Sequence, residues 1–189
     1  MKELEERIRT EGRVLPGGVL KVDGFLNHRI DTALLHDMAE EIGRLFEGCG
    51  VNKILTVEAS GIALASMAGY VMGCPMVFAK KSRTSNIASD VYTAQVASFT
   101  HGNVSTLMVS KSWLTDRDRV LIIDDFLATG AALIGLRDIC AQAGAEVVGA
   151  AISIEKVFQG GGNRLRAEGM RIESLAKIAS MTDNSLEFC

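Results

Sequence analysis

The chain has 189 residues, of which 48% are hydrophobic and 23% charged, with a formal net charge of −3 at pH 7. That length gives one domain a sizeable core and leaves little room for a second. The faintly acidic balance removes any general attraction to nucleic acid or anionic membrane, so the expected partners are small molecules or protein.

From the amino terminus, Lys2, Glu3, Glu5, Glu6 and Arg7 stand where a secretory leader needs an apolar core, and residues 2–11 read as a short charged helix. No uninterrupted apolar run is long enough to span a bilayer. Residues 14–27 read as an irregular stretch rich in glycine and apolar side chains. Asp31 is placed to cap a helix whose one face carries Leu34, Leu35, Met38, Ile42, Leu45 and Phe46. A strand over residues 53–57, a helix over 62–72 and a strand over 76–79 then make one strand–helix–strand unit. Its first turn, Glu58-Ala59-Ser60-Gly61, is either an ordinary connection or an anion cradle, because the opening turn of a helix has free N–H groups. The run Lys80-Lys81-Ser82-Arg83-Thr84-Ser85-Asn86 leaves a strand on the side where ligands bind in parallel sheets, and is long enough to close over a site. Residues 89–98 and 105–110 read as two strands joined as a hairpin through His101-Gly102-Asn103.

The most informative segment follows. Val120-Leu121-Ile122-Ile123 has no polar alternation, as in a strand covered on both faces, and it delivers Asp124 and Asp125 to the carboxyl end where a site is expected. Ala128, Thr129, Gly130, Ala131 and Ala132 then allow close backbone approach, with a starting helix whose N–H groups favour a phosphate. Leu133, Leu136, Ile139, Cys140 and Ala143 recur at helical spacing, Gly144 is placed to end that helix, and residues 147–154 resume a strand. The chain lacks both the G-x-x-x-x-G-K-[ST] loop of a nucleotide triphosphatase and the G-x-G-x-x-G turn of a dinucleotide fold. Cys49, Cys74, Cys140 and Cys189 are scattered without C-x-x-C spacing, and read as reduced thiols of a cytoplasmic protein, not as metal ligands. Alternation of this kind gives one α/β domain over residues 1–189: an open, mostly parallel sheet flanked by helices, its core about 30–154, with a small hood lobe from about 14–27 and 155–189.

The segment around the acidic pair resembles the donor-binding signature of the type I phosphoribosyltransferases. Leu20-Lys21-Val22-Asp23-Gly24-Phe25-Leu26-Asn27-His28, Val57-Glu58-Ala59-Ser60-Gly61-Ile62-Ala63 and Ile154-Glu155-Lys156-Val157-Phe158-Gln159, in this order and spacing, are similar to the bacterial branch of that family that acts on xanthine. The resemblance spans nearly the whole chain. It implies transfer of a phosphoribosyl group from phosphoribosyl pyrophosphate to a purine, through a transition state with oxocarbenium character. Asp124 and Asp125 would take the ribose hydroxyls, with Asp125 also assisting proton movement at the purine. Ala128 to Ala132 would hold the 5′-phosphate, and Ser60, Gly61 and Lys81 the pyrophosphate. Magnesium would bind with the donor, held mainly through substrate and not through a protein metal site. The same resemblance assigns the base to Leu20, Asn27 and Lys156: an amide donor and a cation suit an oxygen-rich, partly anionic purine such as xanthine. Phe126 and Phe158 are possible apolar walls or core. It also implies a homodimer.

Departures from the family pattern fall on the phosphate loop, where Thr129 is followed by Gly130-Ala131-Ala132 and a single hydroxyl is left; on Leu64, where proline is common; and on Gly160-Gly161-Gly162, expected to loosen the lobe near Lys156. Two other functions are compatible with the donor motif. One is a phosphoribosyltransferase for hypoxanthine, guanine or adenine, separated by the base pocket. The other is a donor-sensing transcription regulator, for which the short, charge-balanced segment before Val14 is too little chain to read DNA. His28, His36 and His101 are isolated and read as structural.

Overall fold

The computed structural model describes residues 1–81, 90–97, 104–182 and 185–189. In chain order, α1 (Lys2–Glu11) leads to a hairpin of β1 (Arg13–Leu15) and β2 (Val19–Lys21), a π-helical turn (Asp23–Asn27) and α2 (Thr32–Leu45). Next come β3 (Lys53–Val57), α3 (Gly61–Met72), β4 (Met76–Ala79) and the pair β5 (Val91–Ala97) and β6 (Val104–Ser110). The second half holds β7 (Arg119–Leu127), α4 (Ala131–Ala143), β8 (Glu146–Lys156), a 3-10 turn (Val157–Gln159), α5 (Gly161–Ala167), β9 (Ile172–Met181) and β10 (Leu186–Phe188).

Among the described residues the central sheet has the order β10-β9-β8-β7-β3-β4, parallel throughout except for β10. After β3 the chain moves outward to β4, and after β7 it moves the opposite way to β8, so the strand order reverses between β3 and β7. Such a switch point opens a crevice beyond the carboxyl ends of the two strands. The crossover helices lie on opposite faces. Leu64, Ala65 and Ala68 of α3 pack with Leu121 and Ile123, whereas Leu133, Leu136 and Ile139 of α4 pack with Val120 and Ile122. The unbroken apolar run of β7 is thereby explained: alternate side chains enter two different cores and are fully buried in both.

Local signals hold at several ends. Asp31 caps α2 by accepting from the Ala33 and Leu34 N–H groups, each at 3.2 Å. Gly144 ends α4 with φ of 72°, a left-handed conformation that favours glycine. Leu34, Leu35, Met38, Ile42 and Phe46 are buried as their spacing predicts, and Leu45 is half-buried at the helix end. Among the described residues no helix is long and apolar enough to cross a membrane.

Two readings of the sequence are corrected. Residues 14–27 are not irregular: they contain the β1–β2 hairpin, turned by Gly17 (φ 83°) and Gly18 (φ 74°) after Pro16, and then the π-helical turn. Residues 155–189 do not sit wholly over the sheet's edge. β9 pairs in parallel with β8, burying Ile172, Leu175, Ala176 and Ile178, and β10 extends the sheet beyond it. Of the expected lobe, the hairpin, the π-helical turn, the 3-10 turn and α5 lie outside the sheet. The pair β5–β6 is antiparallel as expected, while its turn at His101-Gly102-Asn103 lies outside the described residues.

Candidate active site

β7 runs two residues past the acidic pair, so Asp124 and Asp125 stand inside the strand, with only 5% and 9% of their surface exposed. Pairing with β3 ends at Leu55↔Ile122, whereas pairing with β8 continues to Leu127↔Glu155. On the β3 side the strand is therefore open, and a cavity forms there. The Asp125 N–H donates to Asp124 Oδ1 at 3.0 Å, and the Phe126 N–H to Asp125 Oδ1 at 3.0 Å. Burial first, and the neighbouring charge of Asp125 second, push the Asp124 carboxyl well above its usual range.

Two strand-to-helix turns face this pair from opposite sides of the crevice. After β7, Ala128 to Ala132 line the cavity and Gly130 opens α4 in a left-handed conformation, with φ of 83°. Among the described residues no side chain caps α4, so the N–H groups of its first turn are open to a ligand. After β3, Ser60 lines the same cavity and opens α3, again without a side-chain cap. Gly61 has no space for a side chain: a Cβ there would overlap Thr56 Oγ1 and lie 3.4 Å from Asp124 Oδ1. The second turn is thus pressed against the first acid by the absence of a side chain. The peptide between Glu58 and Ala59 is cis.

Lys81 lines the cavity as well, and its N–H donates to Glu58 Oε1 at 2.6 Å, which ties the start of the basic run to the turn after β3. The rest of that run, Ser82 to Asn86, lies outside the described residues, and with it the expected closure. Sequence reasoning passed over Glu58 as an anchor, and it missed Val96, Ser105 and Leu107, which bring β5–β6 to the cavity wall. Only the pairing of those strands could have hinted at the latter.

The three residues assigned to the base fall into three situations. Asn27 comes directly to the acids, its Nδ2 donating to Asp125 Oδ2 at 3.3 Å. Lys156 ends β8; its Nζ donates to the Gly18 carbonyl at 2.8 Å and lies 5.5 Å from the centre of the Phe126 ring. Phe126 itself lines the cavity, so the lysine head is one ring away from it. Burial lowers the Lys156 pKa, and among the described residues no carboxylate pairs with it. Leu20 is 5% exposed and packs in the core with Val22, Phe25 and Leu26; like Asn27 and Lys156, it does not line the cavity itself. Phe158 is 44% exposed and does not line this cavity.

The expectation that Gly160-Gly161-Gly162 loosens this region is overturned at Gly161 and Gly162, while Gly160, with φ of 77°, has open space around it. A Cβ on Gly161 would overlap the Ala128 carbonyl oxygen and lie 2.7 Å from the Gly130 nitrogen, and one on Gly162 would overlap Glu155 Oε1. These glycines permit close packing. Beneath them Glu155, fully buried, accepts from Arg166 Nη1 and Nη2 at 2.7 Å each and from the Ser174 hydroxyl. Burial alone would raise the Glu155 pKa; the bonds from Arg166 and Ser174 outweigh it and leave the carboxyl below its usual range.

A buried acid pair between two anion-ready turns can grip a phosphorylated sugar at three points. The family model for a phosphoribosyl transferase domain matches residues 27–164. Xanthine phosphoribosyltransferase of Finegoldia magna is 52% identical over 188 residues, covering 100% of this chain and 99% of the relative. That of Alkaliphilus metalliredigens is also 52% identical, covering 100% and 93%. Among solved structures, adenine phosphoribosyltransferase from Thermoanaerobacter pseudethanolicus superposes with a TM-score of 0.74 at 23% identity, covering 92% of this chain and 99% of that one. Adenine phosphoribosyl transferase from Trypanosoma brucei, in complex with AMP, pyrophosphate and ribose-5-phosphate, gives 0.78 at 16% identity, covering 92% and 79%. At those identities the two structures share the fold with this chain.

Proposed function

This chain belongs to the phosphoribosyltransferase family, and from that premise we propose that it transfers the phosphoribosyl group of phosphoribosyl pyrophosphate to xanthine, giving xanthosine 5′-monophosphate and pyrophosphate. The observation that carries the reading is the convergence of Asp124 and Asp125 with the turns Ala128–Ala132 and Ser60–Gly61 on one cavity at the switch point. The choice of base is supported by full-length relatives named for xanthine and by the placement of Asn27 and Lys156 around Asp125 and Phe126.

In this reading the main-chain amides from Thr129 onward hold the 5′-phosphate, helped by the Thr129 hydroxyl. Ser60, Gly61 and Lys81 receive the pyrophosphate. The acid pair takes the ribose hydroxyls as acceptors, and holding both reactants in line supplies much of the rate. Asn27 gives up its bond to Asp125 and donates to a xanthine carbonyl, which frees Asp125 to accept a proton from the purine. Lys156 faces an oxygen-rich base across the Phe126 ring, where its cation meets the ligand. Leu20 shapes the pocket from behind.

Magnesium belongs to the same reading. Among the described residues no cluster of three or more His, Cys, Asp or Glu could cage a metal. An adjacent pair of carboxylates fits an ion that keeps several waters and takes its other ligands from substrate oxygens. Asp124 and Asp125 would hold it, largely through the ribose hydroxyls; when bound, it offsets the charge gathering on the departing pyrophosphate. A homodimer acting in the cytoplasm is the further implication of the family resemblance.

The test is to incubate the protein with donor, magnesium and each purine in turn, and to compare kcat/KM. Xanthosine monophosphate is expected to form with a preference of about 100-fold or more over hypoxanthine, guanine and adenine. A preference for another purine would move the enzyme to that branch. Absence of every nucleotide, with DNA binding retained, would make the chain a regulator.

A further inference from the structure

We propose that α5 is the positioning element of the phosphate cradle: Gly161 and Arg164 hold the carbonyls of Ala128 and Thr129, and thereby aim the amides of Thr129 and Gly130 into the cavity. The inference rests on the function proposed above, since it takes the ligand of those amides to be the donor's 5′-phosphate.

The argument begins with the peptide unit. In a planar trans peptide the C=O of one residue and the N–H of the next point in opposite directions. The peptides of the loop are trans. The Gly161 N–H donates to the Ala128 carbonyl at 3.2 Å, and Arg164 Nη2 to the Thr129 carbonyl at 2.9 Å. Both carbonyls are therefore drawn toward α5, and the N–H groups of Thr129 and Gly130, on the far ends of the same two peptides, face the other way. Ala128, Thr129 and Gly130 line the cavity and no residue of α5 does, which puts the cavity on the side away from α5.

Packing enforces the same orientation. Gly161 sits so close beneath the loop that a Cβ would overlap the Ala128 oxygen, and a Cβ on Gly130 would lie 2.9 Å from Leu165 Cδ1. Leu165 is fully buried, so α5 cannot drift without opening the core. Arg166 fixes the helix to the sheet through its paired bonds to Glu155 and a further bond from Nη2 to the Ile172 carbonyl at 3.2 Å. Glu155 stands opposite Leu127 in the β7–β8 register, one residue before the loop begins. The frame thus runs from the sheet through Arg166 to α5, and from α5 to two loop carbonyls.

This arrangement answers a difficulty in the sequence. A loop with a single hydroxyl must bind its anion through backbone amides, and amides bind well only when they are already oriented before the ligand arrives. α5 supplies that orientation from behind, where no side chain competes with substrate for space.

Arg164 is exposed, so Arg164→Ala leaves the core intact and carries the decision. It is expected to raise the donor KM, and the donor Kd measured calorimetrically with magnesium present, by about three- to tenfold, the worth of one solvent-exposed hydrogen bond. The xanthine KM stays within about twofold, the thermal midpoint stays within about 2 °C, and Arg164→Lys recovers part of the loss. In the free protein, amide exchange at Thr129 and Gly130 is expected to be faster in Arg164→Ala than in the wild type, a readout that needs no catalysis. Gly161→Ala is expected to show the same selective effect with larger magnitude. Unchanged donor affinity in Arg164→Ala, or donor and xanthine KM rising by one common factor, would overturn the inference while wild-type turnover leaves the proposed function standing. A wild type that forms no nucleotide from any purine would sink both.

Discussion

Replacing Asp124 with asparagine separates what this carboxylate costs the fold from what it gives the reaction. The side chain is 5% exposed, next to a second buried carboxylate, and accepts one hydrogen bond, from the Asp125 N–H at 3.0 Å. Asparagine keeps the shape and that acceptor, and removes the charge. Relief from burying an ionised group beside another of like sign is worth about 1–3 kcal/mol, less about 1 kcal/mol for an imperfectly paired amide donor. The net gain at neutral pH is up to about 2 kcal/mol, which corresponds to up to about 8 °C in a chain of this size. The pH dependence follows from the raised pKa. The unfolded chain releases the Asp124 proton in the ordinary aspartate range while the folded protein keeps it to higher pH, so in that window the unfolded state binds fewer protons and stability falls as pH rises. The advantage of Asp124→Asn is therefore absent below the ordinary range, grows as pH rises through the folded pKa, and is complete above it. Thermal unfolding of both proteins across this span, with nucleotide formation measured alongside, is the assay. Turnover is expected to fall by about 100-fold or more. A variant less stable than wild type at every pH, a difference that does not vary with pH, or undiminished turnover would refute the reasoning.

Lys156→Ala is expected to raise the xanthine KM by about tenfold or more, through loss of a cation facing the base, while the donor KM moves by less than about twofold; steady-state kinetics with each substrate varied checks it, and equal losses would contradict the assignment. Glu155→Gln leaves the Arg166 guanidinium, itself 29% exposed, without its buried partner, and is expected to destabilise by about 2–4 kcal/mol in urea unfolding. Asp31→Ala removes the α2 cap and the 2.7 Å contact with Arg7. The Arg7 bond first, and the Leu34 N–H second, hold the Asp31 carboxyl below its usual range. Its stabilisation is thus complete above the ordinary aspartate range and lost as pH falls through the depressed folded value. The melting midpoint of Asp31→Ala is expected to lie below wild type at neutral pH and to converge with it in strong acid.

Local order was legible in the chain because neighbours along it decide it. The apolar run of β7, the helical spacing behind Leu133, the cap at Asp31 and the stop at Gly144 each depend on residues within a turn or two, and each stands where the sequence put it. The acidic pair and the two small-residue turns were legible for the same reason. What brings them together was not. Asn27 meets Asp125 across 98 residues, and Lys156 meets Gly18 across 138, contacts that follow from how the hairpin and β8 pack and leave no periodicity behind. β9 was not legible as a strand, since Ile172, Leu175, Ala176 and Ile178 do not alternate along the chain, and it is pairing with β8 that makes it a strand of the sheet. Gly161 is the sharpest case. Along the chain a run of three glycines signals freedom, since nothing local restrains φ and ψ. In the fold it signals confinement, because the backbone of another loop occupies the space where a side chain would be.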